Sequence, residues 1–231
     1  MQNTNNAAIK GILFDLDGTL LDTTPDMADA LNRQRQKYQL PPLPFDYIRP
    51  FVGYGSRTIL KIGFDIDETH HQYREMVQQY FDLYEACLTQ KTNLFPYVNE
   101  VLMQLDDASL PWGIVTNKPS RFTLPLLDHF QLTKRATCLV CGDTLPKRKP
   151  DPDQILFAST KMCIPTSELV YVGDTNIDVL ASQNANVRSL IALYGYIQQA
   201  DDPYTWQATG YLKTMLDIIP WLQSHHALSL V

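Results

Sequence analysis

Predominantly apolar runs of strand length, separated mostly by segments with helical periodicity, constrain this chain more than any other feature. They lie at Ile9–Phe14, Pro111–Val115, Ala136–Cys141, Leu169–Val172 and Arg188–Ala192. Such alternation predicts βα units and a parallel sheet. The helical segments are expected at Pro119–Phe130, Asp151–Cys163, Asn176–Gln183 and Lys213–Ser224, each with a turn residue or proline near one end. The expected fold class is therefore α/β, with a Rossmann-like parallel sheet as its core.

The first strand breaks the rhythm, because nearly a hundred residues separate it from the second. Most of that interval has helical character. Thr24-Pro25 offers an N-cap and a proline at the first helical position, and Met27, Ala28, Leu31 and Tyr38 follow on one face. Pro41-Pro42-Leu43-Pro44 stops that helix, and Gly55–Ile62 and Asp67–Leu88 read as further helices. An all-helical insertion in an α/β core is expected to be a cap. Residues 1–22 and 92–231 then form the core domain and residues 23–91 the helical cap, with joints near Asp22–Thr24 and Lys91–Pro96.

Composition narrows the function. A chain of 231 residues with 45% hydrophobic content can bury a full core and carry a second, smaller unit. Met1–Asn6 is polar and uncharged, and no apolar run approaches the length that spans a bilayer, so a cytoplasmic protein without a membrane partner is expected. A net charge of −6 argues against nucleic acid. It leaves room for a small dianion wherever a metal and a few lysines reverse the local field. The four cysteines suggest no disulfide framework. Cys138 and Cys141 have C-x-x-C spacing, but on an apolar strand they face opposite ways and read as buried packing residues. His70, His71, His129, His225 and His226 read as surface residues, and Trp112, Trp206 and Trp221 as core or interface fillers.

The strand ends carry the chemistry. The first runs into Asp15-Leu16-Asp17-Gly18-Thr19. Residues two apart on an extended chain share a side, so Asp15 and Asp17 can address one ligand while Gly18 frees the backbone to turn around it. Paired carboxylates repel by about 1 kcal/mol at 4 Å in water and by several times more in a drier site. A divalent cation can hold one ionised, while the other takes a raised pKa and acts as an acid. A solvated Asp-x-Asp-Gly turn or a calcium-loop fragment has the same local pattern. The remaining strand ends bear on that choice: Thr116-Asn117-Lys118-Pro119, then Lys147-Arg148-Lys149-Pro150-Asp151-Pro152, then Gly173-Asp174-Thr175-Asn176-Ile177-Asp178. Ligands of open parallel sheets bind outside the carboxyl ends of the strands, and every one of these clusters suits phosphate or metal.

In this order and spacing, the four clusters resemble the four motifs of the haloacid dehalogenase superfamily of phosphatases, and the helical insertion resembles that family's type 1 cap. The resemblance covers the whole chain. It implies that Asp15 is the nucleophile that takes the phosphoryl group as an aspartyl-phosphate. Asp17 then protonates the leaving alcohol and later activates water. It further implies Mg2+ held by Asp15, the Asp17 backbone carbonyl and Asp174, with Lys149 as a fixed cation and Lys147 as the other candidate for that role. Thr116 and the backbone amides of Leu16, Asp17 and Asn117 would bind the transferring oxygens. Asp178 is either an outer-shell acid that orients the metal's waters or holds Lys149, or a cap on the dipole of its helix.

Specificity is expected in the cap. Val52-Gly53-Tyr54-Gly55-Ser56-Arg57 resembles a loop that closes over substrate in phosphoglycolate phosphatase-like enzymes, which makes Arg57 and Tyr54 candidate substrate contacts; ordinary turn chemistry gives the same pattern. Tyr194-Gly195-Tyr196-Ile197, with Asp202-Pro203 and Trp206, also resembles bacterial N-acetylmuramic acid 6-phosphate phosphatases. Both substrates carry a carboxylate, so arginines such as Arg49 or Arg57 do not separate them. A phosphomutase keeps all four motifs, whereas Asp17 disfavours the dehalogenase reaction, and a metal- or phosphate-binding module is the non-enzymatic reading. The expected partners are a small phosphorylated metabolite and at most a second copy of the chain, as a monomer or homodimer.

Overall fold

The computed structural model describes residues 7–225 and residue 227; the polar opening Met1–Asn6 and His226 lie outside the described residues. The chain enters through β1 (Gly11–Phe14) and the short β2 (Leu21–Asp22), then runs through α1 (Thr24–Lys37), α2 (Phe45–Ile48), α3 (Gly55–Phe64) and α4 (Tyr73–Glu85). It returns through β3 (Asn93–Leu94), which pairs antiparallel with β2. From there α5 (Val98–Asp107), β4 (Trp112–Val115), α6 (Ser120–His129), β5 (Cys138–Val140), α7 (Asp153–Met162), β6 (Leu169–Gly173), α8 (Asn176–Asn184) and β7 (Arg188–Ala192) alternate. The small strand β8 (Gly210–Leu212) and α9 (Ile218–Ser224) follow.

Six strands form one parallel sheet in the order β5-β4-β1-β6-β7-β8, as the α/β expectation requires. The first strand in sequence lies inside the sheet. The chain winds outward from it through β4 and β5, then crosses to β6 on its other side. Strand order thus reverses around β1, and the crevice at the carboxyl ends of β4, β1 and β6 is the natural ligand site of such a sheet. Side chains alternate across β1: Ile12 and Phe14 pack into one cluster with Trp112, Ile114 and Val172, while Leu13 packs into another with Val115 and Tyr171. All three are fully buried, and each such side chain contributes roughly 1.5–3 kcal/mol. The strand that delivers Asp15 is therefore anchored from both faces.

All five expected strands are present, and the differences have local causes. The three residues of β8 are too few to carry a periodicity. Helix α5 was not among the expected helices, although Val98, Val101, Leu102 and Leu105 are buried at helical spacing. Helix α1 has Thr23 at its N-cap, Thr24 first and Pro25 second, one position earlier than expected. The expected start of α4 moves from Asp67 to Tyr73, because the Asp67 carboxylate accepts from the Thr69 amide and hydroxyl and holds a turn. Near the C-terminus, Asp217 accepts from the amides of Lys213 and Thr214, so the segment begins as a short 3-10 turn before α9. Cys138 and Cys141 sit at and just beyond β5; burial pushes both thiols up to about 11.

One buried acid ties the long helical segment to its return strand. Asp26, in the first turn of α1, is fully buried, and its carboxylate accepts from the amides of Lys91 and Thr92 and from the Thr92 hydroxyl at 2.8–3.0 Å. Three donors, the Lys91 amide shared between both oxygens, offset the cost of burying the charge.

Candidate active site

Three strands end in acid or hydroxyl at one place. Asp15 follows β1, Thr116 follows β4 and Asp174 follows β6. The Asp15 amide donates to Val172 and the Thr116 amide to Val140, so sheet hydrogen bonding continues one residue past each strand and fixes both positions. Asp15, Asp174 and Asp178 each bring a carboxylate oxygen within 4.8 Å of the others, and all three are buried. Lys149 is the cation among them. Its ammonium lies 3.0 Å from Asp15 Oδ1 and 2.7 Å from Asp178 Oδ1. It also donates to Tyr171 Oη at 2.7 Å, which in turn donates to the Val115 carbonyl at 2.7 Å. Lys147, the other candidate, is exposed beside Asp151.

Asp178 makes contacts in two directions. One carboxylate oxygen holds Lys149, and the other accepts from the Thr175 amide at 3.0 Å and hydroxyl at 2.6 Å, closing the capping box of α8. Asn117 Oδ1 accepts from the Lys149 amide, while its Nδ2 donates to the Lys149 carbonyl, which pins the loop that presents the ammonium. Leu16 is fully buried, and its carbonyl accepts from the amides of Thr19, Leu20 and Leu21 to close the turn after β1.

The charges around Lys149 do not balance. Burial pushes Asp15 up to about 6 against the pull of Lys149, and burial with Asp178 and Asp15 nearby pushes Asp174 well above the usual carboxylate range. Burial also works against the Asp178 charge, but Lys149 and Thr175 outweigh it and hold that carboxyl low. For Lys149, burial is outweighed by Asp15 and Asp178, so its ammonium is reinforced. One lysine thus faces three acids. Asp174 Oδ1 is buried without a hydrogen-bond donor, and Asp15 Oδ1 has the Lys149 ammonium near it but no aligned hydrogen bond. Asp178 has both oxygens committed, so Asp15 and Asp174 supply the free ones. A buried Asp174 oxygen without a donor, beside the Asp15 carboxylate, fits a divalent cation such as Mg2+. Their backbone is shaped for close approach: Gly18 has φ +82°, and a Cβ on Gly18 or Gly195 would overlap the Asp174 carboxylate, whose other oxygen accepts from the Tyr196 amide at 2.7 Å.

Asp17 is not part of this three-acid cluster. Lys118 donates to both of its oxygens at 3.0 Å, and the Thr23 hydroxyl adds a bond of 2.6 Å. The two expected carboxylates therefore share a strand end but have separate cations, Lys149 for Asp15 and Lys118 for Asp17.

A cleft of about 230 Å³ opens above this floor. Asp15, Asp17, Thr116, Asn117 and Lys118 line its base, and Tyr80, Phe81, Tyr84 and Phe122 form an aromatic wall. The Val52–Ser56 loop closes another side. There Tyr54 Oη donates to Asp201 at 2.9 Å, while Arg49 donates to the Gly195 carbonyl and lies over the Tyr196 ring. Tyr54 thus lines the cleft, but Arg57 does not. The Arg57 side chain is 66% exposed and faces Glu68 at 3.6 Å. None of His70, His71, His129 and His225 lines the cleft, and Trp112 is a core residue.

Comparison with known proteins agrees with the geometry. The family model described as haloacid dehalogenase-like hydrolase matches residues 12–192. The chain belongs to this family. It is 38% identical over 200 residues to a phosphoglycolate phosphatase of Xanthomonas campestris, covering 86% of this chain and 90% of that protein. It is 32% identical over 214 residues to the N-acetylmuramic acid 6-phosphate phosphatase of Pseudomonas aeruginosa, covering 91% and 95%. The crystal structure of a predicted phosphoglycolate phosphatase from Haemophilus somnus shares the fold with a TM-score of 0.84 at 24% identity, over 96% of this chain and all of that one. As a haloacid dehalogenase-like hydrolase, the chain bears out the resemblance read from its four strand-end clusters. The motifs left out Tyr171, which buttresses Lys149, and Thr23, which holds Asp17. Tyr171 reads as one more apolar residue of its strand, and Thr23 stands beside Asp22 and Thr24 in a stretch read only as the start of a helix. The wall residues Tyr80 and Tyr84 had no signal beyond helical periodicity.

Proposed function

We propose that this haloacid dehalogenase-like hydrolase is a phosphomonoester hydrolase acting on a small phosphorylated metabolite through an aspartyl-phosphate. The observation that carries the reading is the division of the strand-end acids: Asp15 beside Lys149 and the free Asp174 oxygen, Asp17 apart and paired with Lys118. The names of the two relatives support it.

Asp15 is the proposed nucleophile. One carboxylate oxygen attacks phosphorus, a P–O bond forms, and the bond to the leaving alcohol breaks. Asp17 gives the departing oxygen its proton. In the second half Asp17 takes a proton from water, which attacks the phosphorus, freeing phosphate and restoring Asp15. Thr116 and the backbone amides of Leu16, Asp17 and Asn117 are proposed to hold the transferring oxygens, and Lys149 to offset their charge. Asp15, Asp174 and the Asp17 backbone carbonyl would hold Mg2+, with Asp178 beyond them. The cation supplies charge relief when a dianion meets a carboxylate. Residues 23–91 are proposed to act as a cap over a core of residues 1–22 and 92–231, with Tyr54 a substrate contact and the protein cytoplasmic.

Phosphoglycolate and N-acetylmuramic acid 6-phosphate are the two substrate readings. The ring wall of Tyr80, Phe81, Tyr84 and Phe122 favours a leaving group with a carbon face, such as the sugar. Turnover of p-nitrophenyl phosphate with Mg2+, lost with excess chelator and restored by Mg2+, tests the activity. A phosphorylated peptide containing Asp15, trapped by rapid acid quench, tests the intermediate. Chelator-resistant turnover or a label elsewhere would overturn the reading.

A further inference from the structure

Two polar groups in the cleft retain unused hydrogen-bonding capacity. Tyr84 is 1% exposed and lines the cleft, and its hydroxyl has no hydrogen-bond partner among the described residues. Buried hydroxyls are rarely left so. Lys118 has a side chain only 4% exposed and an ammonium 4.7 Å from the centre of the Tyr84 ring. An ammonium has three donors, and the hydrogen bonds of Lys118 Nζ all go to the two oxygens of Asp17. A third donor is left over.

Their position gives these groups a common use. On the phosphatase reading, Asp17 meets the leaving oxygen, so the space beyond Asp17 holds the alcohol being released. Lys118 borders that space, and Tyr84 stands next to it. Apart from its hydroxyl, Tyr84 belongs to a wall of rings that offers the alcohol carbon contact, its ring 5.2 Å from that of Phe122. A buried ammonium donor is best matched by an anionic oxygen. We propose that Lys118 and Tyr84 form the leaving-group subsite, in which Lys118 pairs with a carboxylate on the departing alcohol and Tyr84 hydrogen-bonds a neighbouring oxygen. The subsite rests on the phosphomonoesterase reading and deepens it, selecting phosphate esters of hydroxy acids over those of uncharged alcohols.

Two matched pairs of substrates test this with the full-length, Mg2+-loaded protein. One is 2-phosphoglycolate against 2-hydroxyethyl phosphate; the other is N-acetylmuramic acid 6-phosphate against N-acetylglucosamine 6-phosphate. In each pair only the first carries a carboxylate. The wild type is expected to prefer the acid in at least one pair by about 10–100-fold in kcat/KM, the range of a charged hydrogen bond. Lys118→Met also frees Asp17 and is expected to lower both members, but the acid more, which shrinks that preference to within about threefold. If it lowers both members equally, Lys118 serves Asp17 alone and the carboxylate pairing is overturned. Tyr84→Phe removes an unpaired hydroxyl, so the melting temperature of the unliganded protein should hold or rise while kcat/KM for the preferred acid falls about tenfold. A lower melting temperature with unchanged kcat/KM makes Tyr84 structural and removes it from the subsite. If neither pair shows a preference while p-nitrophenyl phosphate is hydrolysed, the subsite fails and the phosphatase reading stands. Hydrolysis of none of the five compounds overturns both.

Discussion

The floor and the wall of the cleft are built by opposite means. The floor is polar, buried and cross-linked: Asp15, Lys149, Asp178, Tyr171 and Thr175 form one chain of short contacts anchored on adjacent strands. The wall is aromatic and comes from α4, α6 and the Val52–Ser56 loop, and that loop meets the core through bonds such as Tyr54 to Asp201. A floor with every position fixed suits a reaction whose catalysis is charge and alignment. The wall meets the floor at Tyr84, whose ring centre lies 4.7 Å from the Lys118 ammonium. The charged floor is thus held by strand ends and the rings above it by helices, with Lys118 in contact with both, and the following experiments probe that arrangement.

The largest effect is expected at the floor. Asp15→Asn keeps the shape and removes the nucleophile, so turnover should fall by more than about 10⁴-fold with the circular dichroism spectrum unchanged; activity within tenfold of wild type would end the floor's claim to the chemistry. Asp17→Asn should cost about 10²–10⁴-fold. The loss should be greatest for esters with poor leaving groups, and an equal loss for p-nitrophenyl phosphate and an alkyl phosphate would argue against an acid role.

Metal and proton should compete at the same floor. Asp15 is raised by burial from 3.8 to about 6, so it binds its proton more tightly folded than unfolded. Its contribution to stability without metal is full below about pH 4 and is lost as pH rises through about 6. A divalent cation needs the deprotonated form. The metal-free melting temperature should therefore fall from about pH 5 to about pH 7 while the rise produced by Mg2+ grows, as read by scanning fluorimetry. A Mg2+ effect equal at both ends would remove Asp15 from the metal's ligands.

The smallest effect belongs outside the wall. Arg57→Ala should change kcat/KM less than about twofold, because its pair with Glu68 is exposed and such pairs contribute little. A loss beyond tenfold would bring Arg57 into the cleft and redraw the boundary between wall and surface.

Much of the floor was legible because its signals are local. Asp15, Thr116 and Asp174 stand where an apolar run ends, Lys149 stands in the loop that follows another, and a parallel sheet gathers the ends of neighbouring strands. Asp178 was legible as an alternative, and its place at the third helical position after the Thr175 cap lets one oxygen close the capping box while the other holds Lys149. The wall was not legible, since nothing in Tyr80 or Tyr84 distinguishes a cleft-lining ring from a core ring. The Val52–Ser56 loop announced itself through its glycines, yet its pattern did not reveal that Tyr54 turns to the cleft while Arg57 turns to solvent.

The sequence by itself determined the parallel sheet, the helical segment between β1 and β4, and the acids at the strand ends. Each depends on the order of residues within a few positions, where strand alternation and helix periodicity act directly. Only the tertiary structure decided which cation serves which acid. Lys118 lies 101 residues from Asp17, and Lys149 lies 29 from Asp178. Contacts across such separations depend on how the crossovers stack strands and helices, which no local pattern specifies.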